Sequence, residues 1–240
     1  MSALLALQPL PWDTDWLGFA VAKFVAGPAE TEAAVAAAIA RGRATGVRLL
    51  YLVLTPGNAA AAAAAQAAGA TLIDVQLTYK LRLGAVAPLV SPPEGVGLAV
   101  TGVFTPALRE LAWQSGEYSR FRRDERIGSR AFQELYDQWL RQALTRGTVW
   151  AARAGTETVG LLALGSRGGH ASIELLAVAS AARGRRVGYC LVQAARQAAR
   201  QRGATTLRVV TQSDNHPARH FYERCGFDLL RTAHLYHLWL

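Results

Sequence analysis

Residues 183–188 read RGRRVG, and residues 215–227 read NHPARHFYERCGF. The first puts Arg183, Arg185 and Arg186 beside Gly184 and Gly188, just before a helix-patterned stretch. A helix start carries unpaired backbone N–H groups and the positive end of the macrodipole, and small residues let backbone approach a ligand closely. That chemistry suits an anion such as a pyrophosphate. The second segment places Asn215 ahead of Pro217, a residue favoured in a helix first turn, then Phe221 and Tyr222, and Gly226 where a helix would stop. A phenol with pKa near ~10 is protonated at neutral pH and can act as a proton donor. Taken alone, Asn215 reads as a helix cap and Tyr222 as a core aromatic with its hydroxyl satisfied.

These residues need a frame. Leu191, Ala194, Ala195 and Ala198 fall at i, i+3, i+4 and i+7, with Arg196 and Arg200 off that face and Gly203 at the expected end. Residues 173–178 (IELLAV) and 205–211 (TTLRVVT) are β-capable runs on either side. Strand, turn, helix, strand is a crossover, so the two strands are expected parallel. Within the first strand, Glu174 alternates with Ile173 and Leu175, which would turn its carboxylate to the opposite face, either toward a cleft as a general base or into a solvated or salt-bridged position.

From about residue 97 onward the chain resembles the GNAT N-acetyltransferase superfamily, whose acyl-CoA signature is Q/R-x-x-G-x-G/A followed by N-x-x-A-x-x-x-Y. Arg183 and Gly188 match the ends of the first motif, and Asn215, Ala218 and Tyr222 match the second in full. Arg186 occupies the usual middle glycine. The resemblance narrows at residues 10–19 (LPWDTDWLGF), 69–83 (GATLIDVQLTYKLRL) and 115–127 (SGEYSRFRRDERI), which look like the dTDP-fucosamine acetyltransferase (WecD-like) family. It implies a mixed, mostly antiparallel sheet with a splayed parallel strand pair. It also implies acetyl-CoA as cosubstrate, a nucleotide-linked amino sugar as acceptor, surface glycan (lipopolysaccharide) precursor synthesis and a homodimer. By the same resemblance acetyl-CoA would lie against Leu176, Val178, Arg183, Gly184, Arg185, Arg186, Val187, Gly188 and Asn215, Tyr222 would be the general acid, and Tyr118, Arg120 and Arg122 would meet the acceptor.

The 240 residues are 51% hydrophobic, ample for one large or two small cores. Two cysteines, Cys190 and Cys225, make no disulfide framework. Apolar runs are broken well short of a bilayer span and the N-terminus lacks a basic leader, so a cytoplasmic protein is expected, without membrane partner. No His and Cys spacing resembles a metal site. The net charge of +9 is carried almost wholly by arginine, with Lys23 and Lys80 the lysines. It is clustered in two loops, residues 120–126 and 183–186, which suits phosphate-bearing small molecules better than a nucleic-acid stripe. Residues 1–90 are expected to form a smaller α/β domain with an alanine-rich helix (59–68) between apolar strands. Residues 87–97 (APLVSPPEGVG) read as a linker and 97–240 as an α/β (α+β) domain ending in a strand at 235–240.

Overall fold

The computed structural model describes residues 7–84, 91–167 and 170–240. In chain order the elements are β1 (Gln8–Pro9), α1 (Pro11–Leu17), β2 (Val21–Ala26), α2 (Glu32–Ala44), β3 (Leu49–Leu54), α3 (Ala59–Ala67) and β4 (Thr71–Arg82). Then come β5 (Val96–Thr101), α4 (Pro106–Ser115), α5 (Arg120–Arg123), α6 (Gly128–Thr145), β6 (Val149–Ala154), β7 (Glu157–Arg167), β8 (His170–Val178), α7 (Val187–Gln201), β9 (Thr206–Gln212), α8 (His216–Arg224) and β10 (Asp228–Trp239). The chain groups into two compact units, Met1–Leu77 with Arg231–Leu240, and Thr78–Leu230. Positions 87–90 of the expected linker lie outside the described residues; its end is a turn closed by the Val96 N–H donating to the Pro93 carbonyl at 3.0 Å.

In the first unit β3 (LLYLVL) is buried almost throughout because it is central, parallel to β2 on one side and antiparallel to β10 on the other. Alternate residues of β10, Tyr236 and Leu238, join Leu50, Leu52 and Leu54 in one core. That is why the C-terminal strand, expected with residues 97–240, pairs instead with the N-terminal unit, His234 opposite Leu54 through Trp239 opposite Leu49. The alanine-rich α3 is a real helix. Asn58 caps it, accepting from the Ala61 N–H at 3.0 Å while its amide donates to the Gly27 and Glu30 carbonyls at 2.9 Å. Ala61 and Ala65, one turn apart, enter the core.

The second unit carries the crossover. β5, β6, β7 and β8 form an antiparallel meander, and α7 returns the chain to β9, parallel to β8. Leu161, Leu162, Ala163 and Leu164 of β7 are all buried because helices cover both faces of this sheet. On α7 the buried residues include Val187, Cys190, Leu191, Ala195 and Ala199, a stripe of helical period. Burial of such a side chain contributes about 1.5–3 kcal/mol for a Val or Leu, so the start of α7 is held firmly against the sheet.

The β8–β9 pairing is short. It runs through Ala171–Leu207, Ser172–Arg208 and Ile173–Val209, while β8 continues against β7 as far as Val178–Gly160. The β7–β8 register skips Glu174, with Ile173 opposite Leu164 and Leu175 opposite Ala163. Glu174 is therefore the extra residue of a β-bulge, and bulges bend the strand that holds them. The parallel pair separates where the bulge sits, which is the splayed strand pair that the family resemblance implied.

Candidate active site

The separation of β9 from β8 leaves backbone without a strand partner. The Ala179 N–H donates to the Val159 carbonyl at 2.9 Å, so Ala179 and Val159 are a hydrogen-bonded pair, and antiparallel alternation makes Ala177 and Leu161 another. Leu176 and Val178 are thus turned away from β7, with N–H and C=O directed to the side that β9 has left. The Val178 carbonyl accepts from Arg183 Nε at 3.1 Å and Gln114 Nε2 at 3.4 Å. That leaves the Leu176 backbone and the Val178 N–H facing the cleft.

The α7 start lies on the same cleft. Arg186 is the N-cap, with no side-chain cap hydrogen bond, and Cys190 donates the first helical bond back to the Arg186 carbonyl. The N–H groups of Val187, Gly188 and Tyr189 therefore have no helical acceptor. Arg186 has φ of 62°, the left-handed conformation that glycine adopts freely and an L-residue at a cost of about 1–2 kcal/mol. The glycine usual in the signature is a backbone requirement, and this chain meets it with arginine. Gly188 answers a packing need: a Cβ there would lie 3.3 Å from two ring carbons of Phe221 and 3.5 Å from Val178 Cγ2.

Asn215 caps α8, accepting from the Ala218 N–H at 3.2 Å, which sets the helix so that Tyr222 is reached two turns in. Tyr222 is 6% exposed, its ring 5.3 Å from Phe221, 5.6 Å from Phe227 and 6.3 Å from Tyr79. Burial first, and neighbouring Cys225 second, raise its pKa well above the ordinary phenol value, so the hydroxyl stays protonated at neutral pH.

These pieces enclose a cavity of about 720 Å³. Its lining includes Tyr118, Leu176, Val178, Arg183, Gly184, Arg186, Val187, Gly188, Asn215 and Tyr222 of the expected site, together with Gln114 and Ser115 at the end of α4, which sequence reasoning missed. Arg183, Arg186 and Arg224 are the charged side chains of the lining, so it favours anions. The volume, the open helix N-terminus and the free strand edge fit a long anionic thioester with amide groups along its length.

Four expected site residues lie outside the lining. Glu174 is ion-paired to Arg146 and packs over Gly165, where any side chain would collide with its carboxylate. Glu174 keeps the face opposite Ile173 and Leu175 that alternation expects, and Arg146 at the end of α6 takes up its carboxylate there. Of its two sequence readings, the salt-bridged one describes this geometry. Arg122 donates to Ser129 Oγ at 2.9 Å and pairs with Glu117 at 3.8 Å, and Arg120 lies 4.3 Å over the Phe121 ring. The basic loop is in part helical, α5, and these contacts hold its arginines. Arg185 is exposed beside the cavity. Among the described residues no cluster of His, Cys, Asp and Glu could hold a metal, and no helix is long and apolar enough to cross a membrane.

A family model described as the acetyltransferase (GNAT) family matches residues 106–227. The chain belongs to that family. The match spans α4 through α8, all the elements that build the cavity. The spore coat polysaccharide biosynthesis protein SpsD of Bacillus subtilis (strain 168) is 30% identical over 137 residues, 56% of this chain and 47% of its own length. The chain thus spans about half of that curated relative. Among solved structures, a GCN5-related N-acetyltransferase from Kribbella flavida superposes with TM-score 0.58 at 18% identity, over 91% of this chain and 80% of its own. A tandem GNAT protein from the clavulanic acid biosynthesis pathway gives 0.57 at 20%, over 86% and 69%. Both share the fold.

Proposed function

We propose that this protein is an acetyl-CoA-dependent N-acetyltransferase acting on the amine of a nucleotide-linked amino sugar of the dTDP-4-amino-4,6-dideoxygalactose type, in the cytoplasm, for surface glycan precursor synthesis. The observation that carries it is the convergence on one cavity of the open α7 N-terminus, the unpaired edge of β8 and the Tyr222 ring. The α7 N–H groups with Arg183 and Arg186 would hold the diphosphate. The Leu176 backbone would pair with the pantetheine amides. The Val178 N–H would stabilise the oxyanion as the amine attacks the thioester carbonyl. Tyr222 would then give its proton to the departing thiolate.

The amine must attack as the free base. With Glu174 held by Arg146, and arginines as the charged lining residues, no carboxylate among the described residues lines the cavity to take its proton, which would leave through solvent. The arginine-lined cavity also suits an acceptor bearing phosphate, and Tyr118 at its mouth offers a ring on which a base or sugar can rest. The relatedness to a polysaccharide biosynthesis protein supports a sugar acceptor. Release of free thiol from acetyl-CoA, with and without dTDP-4-amino-4,6-dideoxygalactose, tests the reading. Sugar-dependent release is expected. Release with a simple amine such as spermidine and none with the sugar would leave the acyl transfer and remove the acceptor.

A further inference from the structure

Tyr222 has no hydrogen bond from its hydroxyl to another described residue, so its aim depends on what fixes its ring. Phe221 and Phe227 cannot do this alone, because both belong to the same short segment as Tyr222 and would move with it. Tyr79 comes from elsewhere. It lies on β4, whose end runs beside β9, the Leu83 N–H donating to the Thr205 carbonyl at 2.9 Å. It is 2% exposed, and its ring meets that of Tyr222 at 6.3 Å and 37°, within the favourable range for aromatic pairs. Its hydroxyl donates to Glu223 Oε1 at 2.9 Å, across 144 positions of chain, to the residue that follows Tyr222. Arg219, one turn earlier on α8, adds a cation beside the same hydroxyl. Burial first, and the Glu223 hydrogen bond second, raise the Tyr79 pKa, which keeps it a donor.

We propose that Tyr79 is a positioning residue for Tyr222, its ring and its hydrogen bond to Glu223 forming a brace that sets the phenol of α8 at the thioester end of the cavity. The inference rests on Tyr222 as proton donor. Loosening the brace lets α8 shift against β8 while the α7 phosphate site stays intact. The cost then falls on kcat, not on acetyl-CoA binding, and a misplacement near 1 Å can cost up to about a hundredfold.

The test is a cycle of wild type, Tyr79→Phe, Tyr222→Phe and the double variant, read as kcat and KM for acetyl-CoA in thiol release with dTDP-4-amino-4,6-dideoxygalactose. Tyr79→Phe is expected to lower kcat roughly tenfold or more with KM for acetyl-CoA nearly unchanged, and to add nothing in the Tyr222→Phe background. On the exposed partner, Glu223→Ala should reproduce the loss and Glu223→Gln, which still accepts a hydrogen bond, should restore it. Equal losses from Tyr79→Phe in both backgrounds, or an unchanged kcat, would overturn the brace while leaving Tyr222 as the acid. A Tyr222→Phe variant as active as wild type would remove the acid and the brace together.

Discussion

Tyr222→Phe removes a single oxygen from a ring that three other rings hold. Because the hydroxyl has no hydrogen bond to another described residue, the deletion should change folding stability by no more than about 1 kcal/mol. Its effect on turnover should be far larger. A positioned proton donor contributes about 10²–10⁴-fold, equivalent to about 3–5 kcal/mol of transition-state stabilisation. Burial lifts the phenol, but the same low-dielectric pocket would lift the departing thiol, so the match between donor and acceptor survives. A phenol raised in this way stays protonated up to about pH 10 and beyond. The wild-type rate of thiol release should therefore climb with pH as the acceptor amine loses its proton, without a fall from Tyr222 ionisation below about pH 10. Stopped-time thiol assays across that range, with acetyl-CoA affinity measured separately, check both parts. Retention of the wild-type rate in Tyr222→Phe, at unchanged acetyl-CoA affinity, would refute the proton-donor reasoning.

Arg186→Gly relieves the left-handed strain at φ 62° but adds backbone entropy to the unfolded chain, so thermal denaturation should show stability equal to or up to about 1 kcal/mol above wild type. If the Arg186 side chain holds a phosphate, the same variant should bind CoA more weakly by titration calorimetry, and unchanged affinity would leave Arg186 as a strained cap alone. Glu174→Gln should keep kcat within about threefold, because its carboxylate serves Arg146; a loss of about a hundredfold in the thiol assay would restore it as general base. Cys225 is buried and its thiol is pushed up to about 11. Stability from a raised pKa is present below the ordinary thiol value and lost as pH rises through the folded one, so the free energy of unfolding should fall between about pH 9 and 11, by up to about 3 kcal/mol. Cys225→Ala should flatten that fall.

The crossover was legible because its signals are local. Gly and Arg punctuation, a helical stripe and flanking β runs placed β8, α7 and β9 within a few residues of where they lie. Asn215 and Tyr222 were legible for the same reason, their spacing on one short helix. For Glu174 alternation along the strand gave the face but not the partner, because Arg146 is 28 positions away at the end of α6. Tyr79 was hidden because in LTYKLR it has the pattern of any inward strand residue, and its partner Glu223 is distant in sequence. The C-terminal strand could be seen as a strand, but its partner β3 is chosen by a shared core among residues far apart. The contacts that Arg122 makes with Glu117 and Ser129, and Arg120 with the Phe121 ring, cannot be read from spacing along a basic loop.

The central claim is that the gap opened between β8 and β9, capped by the start of α7, is an acyl-CoA site. Calorimetric titration of acetyl-CoA into wild type and Gly188→Leu tests it most directly, because a side chain at Gly188 grows between Phe221 and Val178 into that gap. Binding by the wild type, weakened at least about tenfold in a variant that still unfolds cooperatively, is the predicted result. Equal binding by both proteins, or none by the wild type, would contradict it.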